Sequence, residues 1–283
     1  MKRLFTVIIL SMMILFSACS KVTKQNNKIY TTIYPVYSIT KFIAGDKFEV
    51  ERIVKGTAEP HSFEPQTQDI AEMMESRAVL YIGHIDEWAK KASEGSNVKV
   101  VEVSKGINKI EEDPHVWTSP KNAIIIAENI KNTLIEIDSV NKDYYEKNFN
   151  KFKFEMERIN EKFEKEKANF KRDVFVIAHP AFGYLARDFG LTQIALTGQE
   201  EVEEPSPKEV AKVIDFIKEK NIKYVLFDRT ENENIIRPVV ETTGVEKLEI
   251  FGMGAVPQDV EEKENYVTLM ERNIDNIIKA LKE

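Results

Sequence analysis

The sequence predicts an α/β protein of two lobes, each built on a parallel sheet, joined by one long helix. Two observations lead to this fold class. Short apolar runs alternate with helical patterns through both halves of the chain, which is typical of parallel-sheet structure. Between the halves lies a highly charged segment, residues 138–169, without glycine or proline. We therefore expect lobes at residues 28–137 and 171–283 and a linking helix at 138–170.

The first half alternates between predicted strands and predicted helices. The strands are the apolar runs Ile29–Ile33, Phe48–Val54, Ala78–Ile82 and Val98–Val103. The helices are Val36–Ala44, Gln68–Glu75, Ile85–Ala92 and Pro120–Ile137. Parallel strands end along one edge of their sheet, and ligands of open α/β folds bind beyond that edge.

The linking segment repeats aromatic residues at helical spacing. These are Tyr145, Phe149, Phe152 and Phe163. The spacing predicts one amphipathic helix with a buried face. A coiled-coil dimer arm is the alternative interpretation, but the apolar positions are too irregular for sustained heptads. We therefore expect a connector between the lobes, and a monomer.

The second half resumes the alternation. Its predicted strands are Val174–Ala178, Gln193–Leu196, Tyr224–Asp228 and Leu248–Phe251. Its predicted helices are Ala181–Phe189, Pro207–Lys220, Asn234–Thr243 and Glu264–Leu281. The second of these helices has a strong start, because Ser206 suits the N-cap, Pro207 the first helical position and Glu209 the third.

The N-terminus, residues 1–18, is predicted to be a signal peptide and not part of the fold. Two basic residues precede the apolar run Leu4–Phe16, which is too short for a membrane-spanning helix of ~20 residues. Small residues then precede Cys19, as in a bacterial lipobox. Cleavage there would leave a thiol for lipidation and a polar tether, residues 19–27. We expect an extracytoplasmic protein anchored to the cell membrane through Cys19.

Composition narrows the class of protein further. The sequence has 47 Asp and Glu against 40 Lys and Arg, and this acidic balance argues against nucleic acid as a partner. Cys19 is the single cysteine of the sequence, so no disulfide within the chain can stabilise the fold. Stability must come from burial of apolar side chains.

Three of the four histidines lie beside a proline, and each comes after a predicted strand. They are His61, His115 and His179. Proline disfavours the interior of a helix, so these histidines belong to loops at strand ends. Imidazoles in such loops can converge on one cation in a cleft between the halves. The sequence therefore predicts a metal site at the lobe interface with these three histidines as ligands.

Zinc binds neutral imidazole nitrogens in a tetrahedral shell of four ligands. Three histidines leave one position for water, a carboxylate or a fourth histidine. The candidates are His84, which follows a predicted strand, Glu59, which is close to His61, and Asp259, in the loop after the last strand. The sequence contains no HExxH motif and no CxxC pair, which excludes the common local zinc motifs.

Four loop motifs, in this order and at these separations, are specific as a set. They are Pro60-His61-Ser62-Phe63-Glu64-Pro65, Asp113-Pro114-His115-Val116-Trp117, His179-Pro180-Ala181-Phe182-Gly183-Tyr184 and Glu204-Pro205-Ser206-Pro207. On these motifs the chain resembles the zinc/manganese solute-binding lipoproteins of ABC transporters, the cluster A-I family. The resemblance extends over nearly the whole chain after Cys19.

The resemblance implies two (β/α) lobes joined by a rigid helix, with the metal at their interface. It carries over to His61, His115 and His179 as metal ligands. Zinc members of the family have histidine at the position of His179 and manganese members have glutamate, in line with the preference of zinc for imidazole. The chain departs from the family at residues 251–255, where many relatives have an aspartate and this sequence has no carboxylate.

The function implied by the resemblance is capture of zinc and its delivery to a membrane permease with a cytoplasmic ATPase. A manganese- or iron-binding member of the same family is one alternative. A zinc hydrolase that activates a water molecule is another, with Glu59 as the candidate base, but no catalytic motif surrounds that residue. A surface adhesin with a structural metal is a further alternative. We expect a receptor and not an enzyme.

Overall fold

The computed structural model describes residues 27–198 and 205–283. The predicted signal peptide, Cys19 and the tether up to residue 26 lie outside these ranges, as do residues 199–204. Within the described ranges, no helix combines the length and the apolar composition that crossing a membrane requires.

The first lobe is a parallel sheet whose strands are connected through helices. Its strands, within the described residues, are β1 (Lys28–Thr31), β2 (Glu49–Arg52), β3 (Ala78–Tyr81) and β4 (Lys99–Glu102). Its helices are α1 (Tyr34–Ala44), α2 (Thr67–Met74), α3 (Trp88–Ala92) and α4 (Pro120–Ile137). The strand order is β2-β1-β3-β4, and every neighbouring pair is parallel. The central strands β1 and β3 are almost wholly buried, as their apolar sequences predict.

The second lobe has the same strand order, β6-β5-β7-β8, again with parallel neighbours. Its strands, in the described part of the chain, are β5 (Val174–Ile177), β6 (Thr192–Ala195), β7 (Tyr224–Phe227) and β8 (Glu246–Glu249). The helices that follow the linking segment are α6 (Gly183–Phe189), α7 (Pro207–Lys220), α8 (Arg237–Thr243), α9 (Gln258–Glu261) and α10 (Tyr266–Lys282). The predicted start of α7 is confirmed, because Ser206 accepts from the backbone N–H of Glu209 and the Glu209 carboxylate accepts from that of Ser206.

The long linking helix is confirmed as α5 (Lys142–Glu166), with a short 3-10 turn at each end. One face of α5 is buried, and its members are Tyr145, Phe149, Phe152, Met156, Ile159 and Phe163. The ring of Phe152 lies 5.5 Å from that of Phe42 in α1 and 5.9 Å from that of Tyr266 in α10. The helix therefore packs against both lobes, and one apolar core runs through them and the connector.

The predicted helix Ile85–Ala92 is shorter than expected, since α3 begins only at Trp88. The fully buried carboxylate of Asp86 accepts from the backbone N–H groups of Ile82, at 2.9 Å, and Gly83, at 2.7 Å. Those bonds hold the chain in a turn, in which Gly83 has a φ of 92°. The turn thus satisfies two buried backbone donors that precede the helix, and Asp86 is used for these bonds instead of as a helical residue.

Candidate metal centre

The structure brings His61, His115 and His179 together between the lobes. The Nε2 atom of His115 lies 3.2 Å from Nε2 of His61 and 3.1 Å from Nε2 of His179. One ring nitrogen from each histidine lies within 4.8 Å of the others, and these are the residues that form such a group in the described part of the chain. Nitrogen atoms at this separation can share one cation.

Each histidine is presented by a loop that follows a strand. His61 lies in a 3-10 turn, Pro60–Ser62, after β2, and its backbone N–H donates to Oε1 of Glu59 at 2.9 Å. His115 directly precedes another 3-10 turn, Val116–Thr118. His179 comes two residues after β5. The prolines beside these histidines keep their loops from continuing as helix.

His115 is oriented by the buried carboxylate of Asp113. Oδ1 of Asp113 accepts from the backbone N–H of His115 at 2.9 Å and lies 2.9 Å from its Nδ1. A neutral imidazole that donates from Nδ1 to this carboxylate keeps the lone pair of Nε2 free for a cation. Carboxylates that fix a metal-binding histidine in this way are common outside the ligand shell.

Asp113 is in turn held by the second lobe. The hydroxyl of Tyr184 donates to the backbone carbonyl of Asp113 at 2.9 Å and accepts from the N–H of Ile110 at 3.0 Å. Next to it, Gly183 leaves room for the carboxylate, because a Cβ atom at Gly183 would lie 2.4 Å from Oδ2 of Asp113. The loop that carries His115 is thus supported by α6, the helix that follows His179.

Further hydrogen bonds between the lobes close the site. The indole N–H of Trp117 donates to the carbonyl of Gly252 at 2.7 Å. The hydroxyl of Thr118 donates to the carbonyl of Ala181, also at 2.7 Å. The cavity around the imidazoles is about 30 Å³, close to the space of one water molecule. The site therefore suits a single ion.

Burial and mutual proximity keep two of the imidazoles uncharged. Desolvation, with the charge of His115, lowers the pKa of His61 to about 4. Desolvation, with the charges of His115 and His61, lowers the pKa of His179 to about 2. Neutral imidazole is the form that binds a metal ion, so protons compete little for these two groups near neutral pH.

The protein without metal is expected to lose stability as the pH falls from 7 to 5. Unfolded His61 and His179 take up protons near pH 6.5, while in the native state their pKa values of about 4 and about 2 keep them neutral. The unfolded state then binds more protons, so acid favours unfolding, by up to about 1.4 kcal/mol per pH unit for each imidazole. The loss of stability that His61 causes is complete near pH 4, where the native state also takes up its proton.

Thermal unfolding of metal-free protein at pH 7, 6 and 5 measures this effect. His179→Asn removes one buried imidazole, so its stability should depend less steeply on pH than that of the wild type. His84→Asn is the matched control, because His84 is exposed. Equal pH dependence in the wild type and His179→Asn would contradict the prediction.

The candidates for the fourth position lie in different places. Glu59 lines the cavity around the imidazoles. His84 is exposed, in a turn with a φ of 67°, and is not among the described residues that line the cavity. Asp259 is also absent from that lining, and both of its carboxylate oxygens accept from Arg229 at 2.8 Å.

Sequence reasoning missed Asp228, a buried carboxylate in the cavity wall. Its Oδ2 accepts from the backbone N–H of Gly252 at 2.7 Å, and its Oδ1 accepts from the N–H and hydroxyl of Thr230. Burial raises the pKa of Asp228. The sequence feature that could have identified Asp228 is its position directly after the apolar strand β7, at the sheet edge where ligands bind.

Comparison with known proteins agrees with the fold and identifies the family. Residues 29–280 match the family described as "Zinc-uptake complex component A periplasmic", ZnuA. The chain is 29% identical to the high-affinity zinc uptake system protein ZnuA of Bacillus subtilis, over 94% of this chain and 90% of that protein. It is 27% identical to the zinc-binding protein AdcA of Streptococcus pyogenes, over 88% of this chain and 55% of AdcA, and so spans about half of AdcA.

The fold is also found in a solved structure. The Zn(II)-bound ZnuA-like domain of AdcA from Streptococcus pneumoniae superposes with a TM-score of 0.81. The alignment covers 91% of this chain and all of that domain, at 27% identity. Since the family match extends through both lobes and the linking helix, this chain belongs to the ZnuA family of periplasmic zinc-uptake components.

Proposed function

We propose that this protein captures one zinc ion with His61, His115 and His179 and delivers it to the membrane permease of an ABC importer. The observation that supports this most strongly is the convergence of their Nε2 atoms between the lobes. The name of the B. subtilis relative, a high-affinity zinc uptake protein that aligns over most of its length, supports the transport role. The permease and its cytoplasmic ATPase are the partners that this role requires.

The ligand set favours zinc over manganese or iron. Three neutral imidazoles suit zinc, whereas manganese prefers shells rich in carboxylate and water. His179, the second lobe's contribution, is an imidazole at the position where manganese members of the family have glutamate. A tetrahedral ion needs one more ligand, and we assign that position to Glu59 or a water molecule, since Glu59 lines the cavity.

The site suits binding better than catalysis. A hydrolase must hold its substrate beside the metal-bound water. Glu59, the candidate base beside the site, already accepts from the backbone N–H of His61 at 2.9 Å, and no catalytic motif surrounds it. The family is one of zinc-uptake components and not of enzymes.

The family is periplasmic, which places the protein outside the cytoplasm. We propose further that residues 1–18 are removed and that lipid on Cys19 anchors the mature chain to the membrane. The tether would then hold the lobes near the permease. The imidazoles of the site come from one chain, so the proposed function requires no second copy of the protein.

The mature protein, purified without added metal, is expected to contain zinc at one ion per chain. Elemental analysis measures the metal content, and competition titrations against a chromophoric chelator compare zinc with manganese and iron. Zinc should bind more tightly than both, because the described ligand set is imidazole. Preferential retention of manganese or iron, or no stoichiometric metal, would contradict the proposed function.

A further inference from the structure

We infer that Arg52 is a positioning residue that holds the two lobes closed over the metal cavity by pairing with Glu261. This inference rests on the proposed function, because its consequence is slower release of the bound ion. Arg52 is the last residue of β2 in the first lobe, and Glu261 is the last residue of α9 in the second. Neither residue lines the cavity around the imidazoles.

The contact between the lobes is direct and partly buried, with 25% of the Glu261 side chain exposed. Nη2 of Arg52 donates to Oε2 of Glu261 at 2.7 Å. Only 6% of Arg52 is exposed. Its guanidinium lies 5.3 Å from the ring of Tyr34 and 5.4 Å from the ring of Tyr37, both in α1. The aromatic rings hold the cation in place on the first lobe, and Glu261 completes the contact from the second.

Both partners lie next to segments that form the cavity wall. Arg52 comes nine residues before His61 in the chain. The helix α9 follows residues 252–255, which also line the cavity. These two walls touch, since a Cβ atom at Gly254 would lie 3.3 Å from Cγ of Pro60. The ion pair and this contact therefore join the same two stretches of the chain, residues 52–61 and 252–261.

The helix α9 is also fixed to its own lobe. Arg229, two residues after β7, binds both carboxylate oxygens of Asp259 at 2.8 Å. The helix α9 therefore has a contact of its own with the second lobe, and the pair with Arg52 is one of the contacts that join the two lobes.

The expected strength of this connection is modest. Desolvation of a buried ion pair offsets much of its Coulomb attraction, so the pair adds little to the overall stability of the fold. When the lobes separate, however, Arg52 loses Glu261 while the tyrosines keep it partly buried, and an unpaired buried charge is costly. The pair thus favours the closed arrangement without making release of the ion impossible.

Removal of either partner is expected to accelerate zinc release. Stopped-flow mixing of the zinc-loaded mature protein with excess chelator measures the dissociation rate. Arg52→Met and Glu261→Gln should each release zinc at least about fivefold faster than the wild type. A fivefold change is at the lower end of the coupling commonly found between two sites. The association rates of both variants should stay near that of the wild type. The double variant should match the single variants, because both remove the same contact.

Two further variants separate this role from a general effect of charge. Glu262→Gln is the matched control, because Glu262 is the adjacent carboxylate and accepts from Gln258 instead of Arg52. It should release zinc at the wild-type rate. Arg52→Lys keeps the charge but not the planar group that stacks on the tyrosines, so its rate should lie between those of the wild type and Arg52→Met.

Wild-type release rates in both Arg52→Met and Glu261→Gln would overturn this inference and leave the proposed function standing. Equal acceleration by Glu262→Gln would also overturn it, since the effect would then follow net charge and not the pair. Failure of the wild type to bind zinc would overturn the proposed function, and this inference with it.

Discussion

Replacing His115 by alanine is expected to weaken zinc binding by more than about a hundredfold, beyond the 10- to 100-fold typical for loss of a group outside the ligand shell. His115 is the central imidazole, since its Nε2 lies within 3.2 Å of the Nε2 atoms of both other histidines. Without it, the remaining two nitrogens cannot enclose the ion. Competition titration of the mature protein against a chromophoric chelator measures the loss.

His179→Ala belongs to the same experiment and should weaken binding by well over about tenfold. It removes the contribution of the second lobe, so the ion would be held by one lobe only. His84→Ala is the control, because His84 is exposed and outside the cavity lining. Zinc affinity equal to the wild type in either His115→Ala or His179→Ala, or a matching loss in His84→Ala, would contradict the proposed ligand set.

Gly183→Ala is expected to weaken zinc binding by about 10- to 100-fold, although Gly183 is not a ligand. The new methyl group would lie 2.4 Å from Oδ2 of Asp113, so that carboxylate must move. Its movement breaks the contact of Oδ1 with Nδ1 of His115 and leaves the imidazole without its orienting partner. The same titration measures the effect.

Gly198→Ala is a matched control in the second lobe. A Cβ atom at Gly198 would have no neighbour within 4 Å among the described residues, so this variant should bind zinc like the wild type. If Gly183→Ala acts through Asp113, it should cause little further loss of zinc affinity when Asp113 is already replaced by alanine. Additive losses, or wild-type affinity in Gly183→Ala, would contradict this mechanism.

The fold class and the linking helix could be predicted because they depend on local patterns. Apolar runs marked the strands, and aromatic spacing marked α5. Element ends were harder to predict. The run Leu248–Phe251 predicted a strand, yet β8 is Glu246–Glu249, because the side chain of Asn273 in α10 bonds both the N–H and the carbonyl of Phe251. The apolar pattern indicated burial of Phe251 but not which group would satisfy its backbone.

The candidate site divides in the same way. The neighbouring prolines and the preceding strands predict that the three histidines lie in loops at strand ends. Because parallel strands end at one edge of a sheet, the approach of these histidines to one another could be expected. The roles of Gly183 and Asp228 could not be predicted, because each depends on the distance to a residue far away in the sequence. Gly183 is defined by its approach to Asp113, and Asp228 by its bond to Gly252.

The position of Phe152 in α5 bears on how such proteins can diverge. Its ring touches Phe42 of one lobe and Tyr266 of the other, so either lobe expressed alone would leave an aromatic surface in water. Chimaeras that combine lobes from different relatives would need compatible aromatic residues along α5 as well as compatible histidines. Recombination between relatives should therefore preserve both lobes and their connector as one inherited piece.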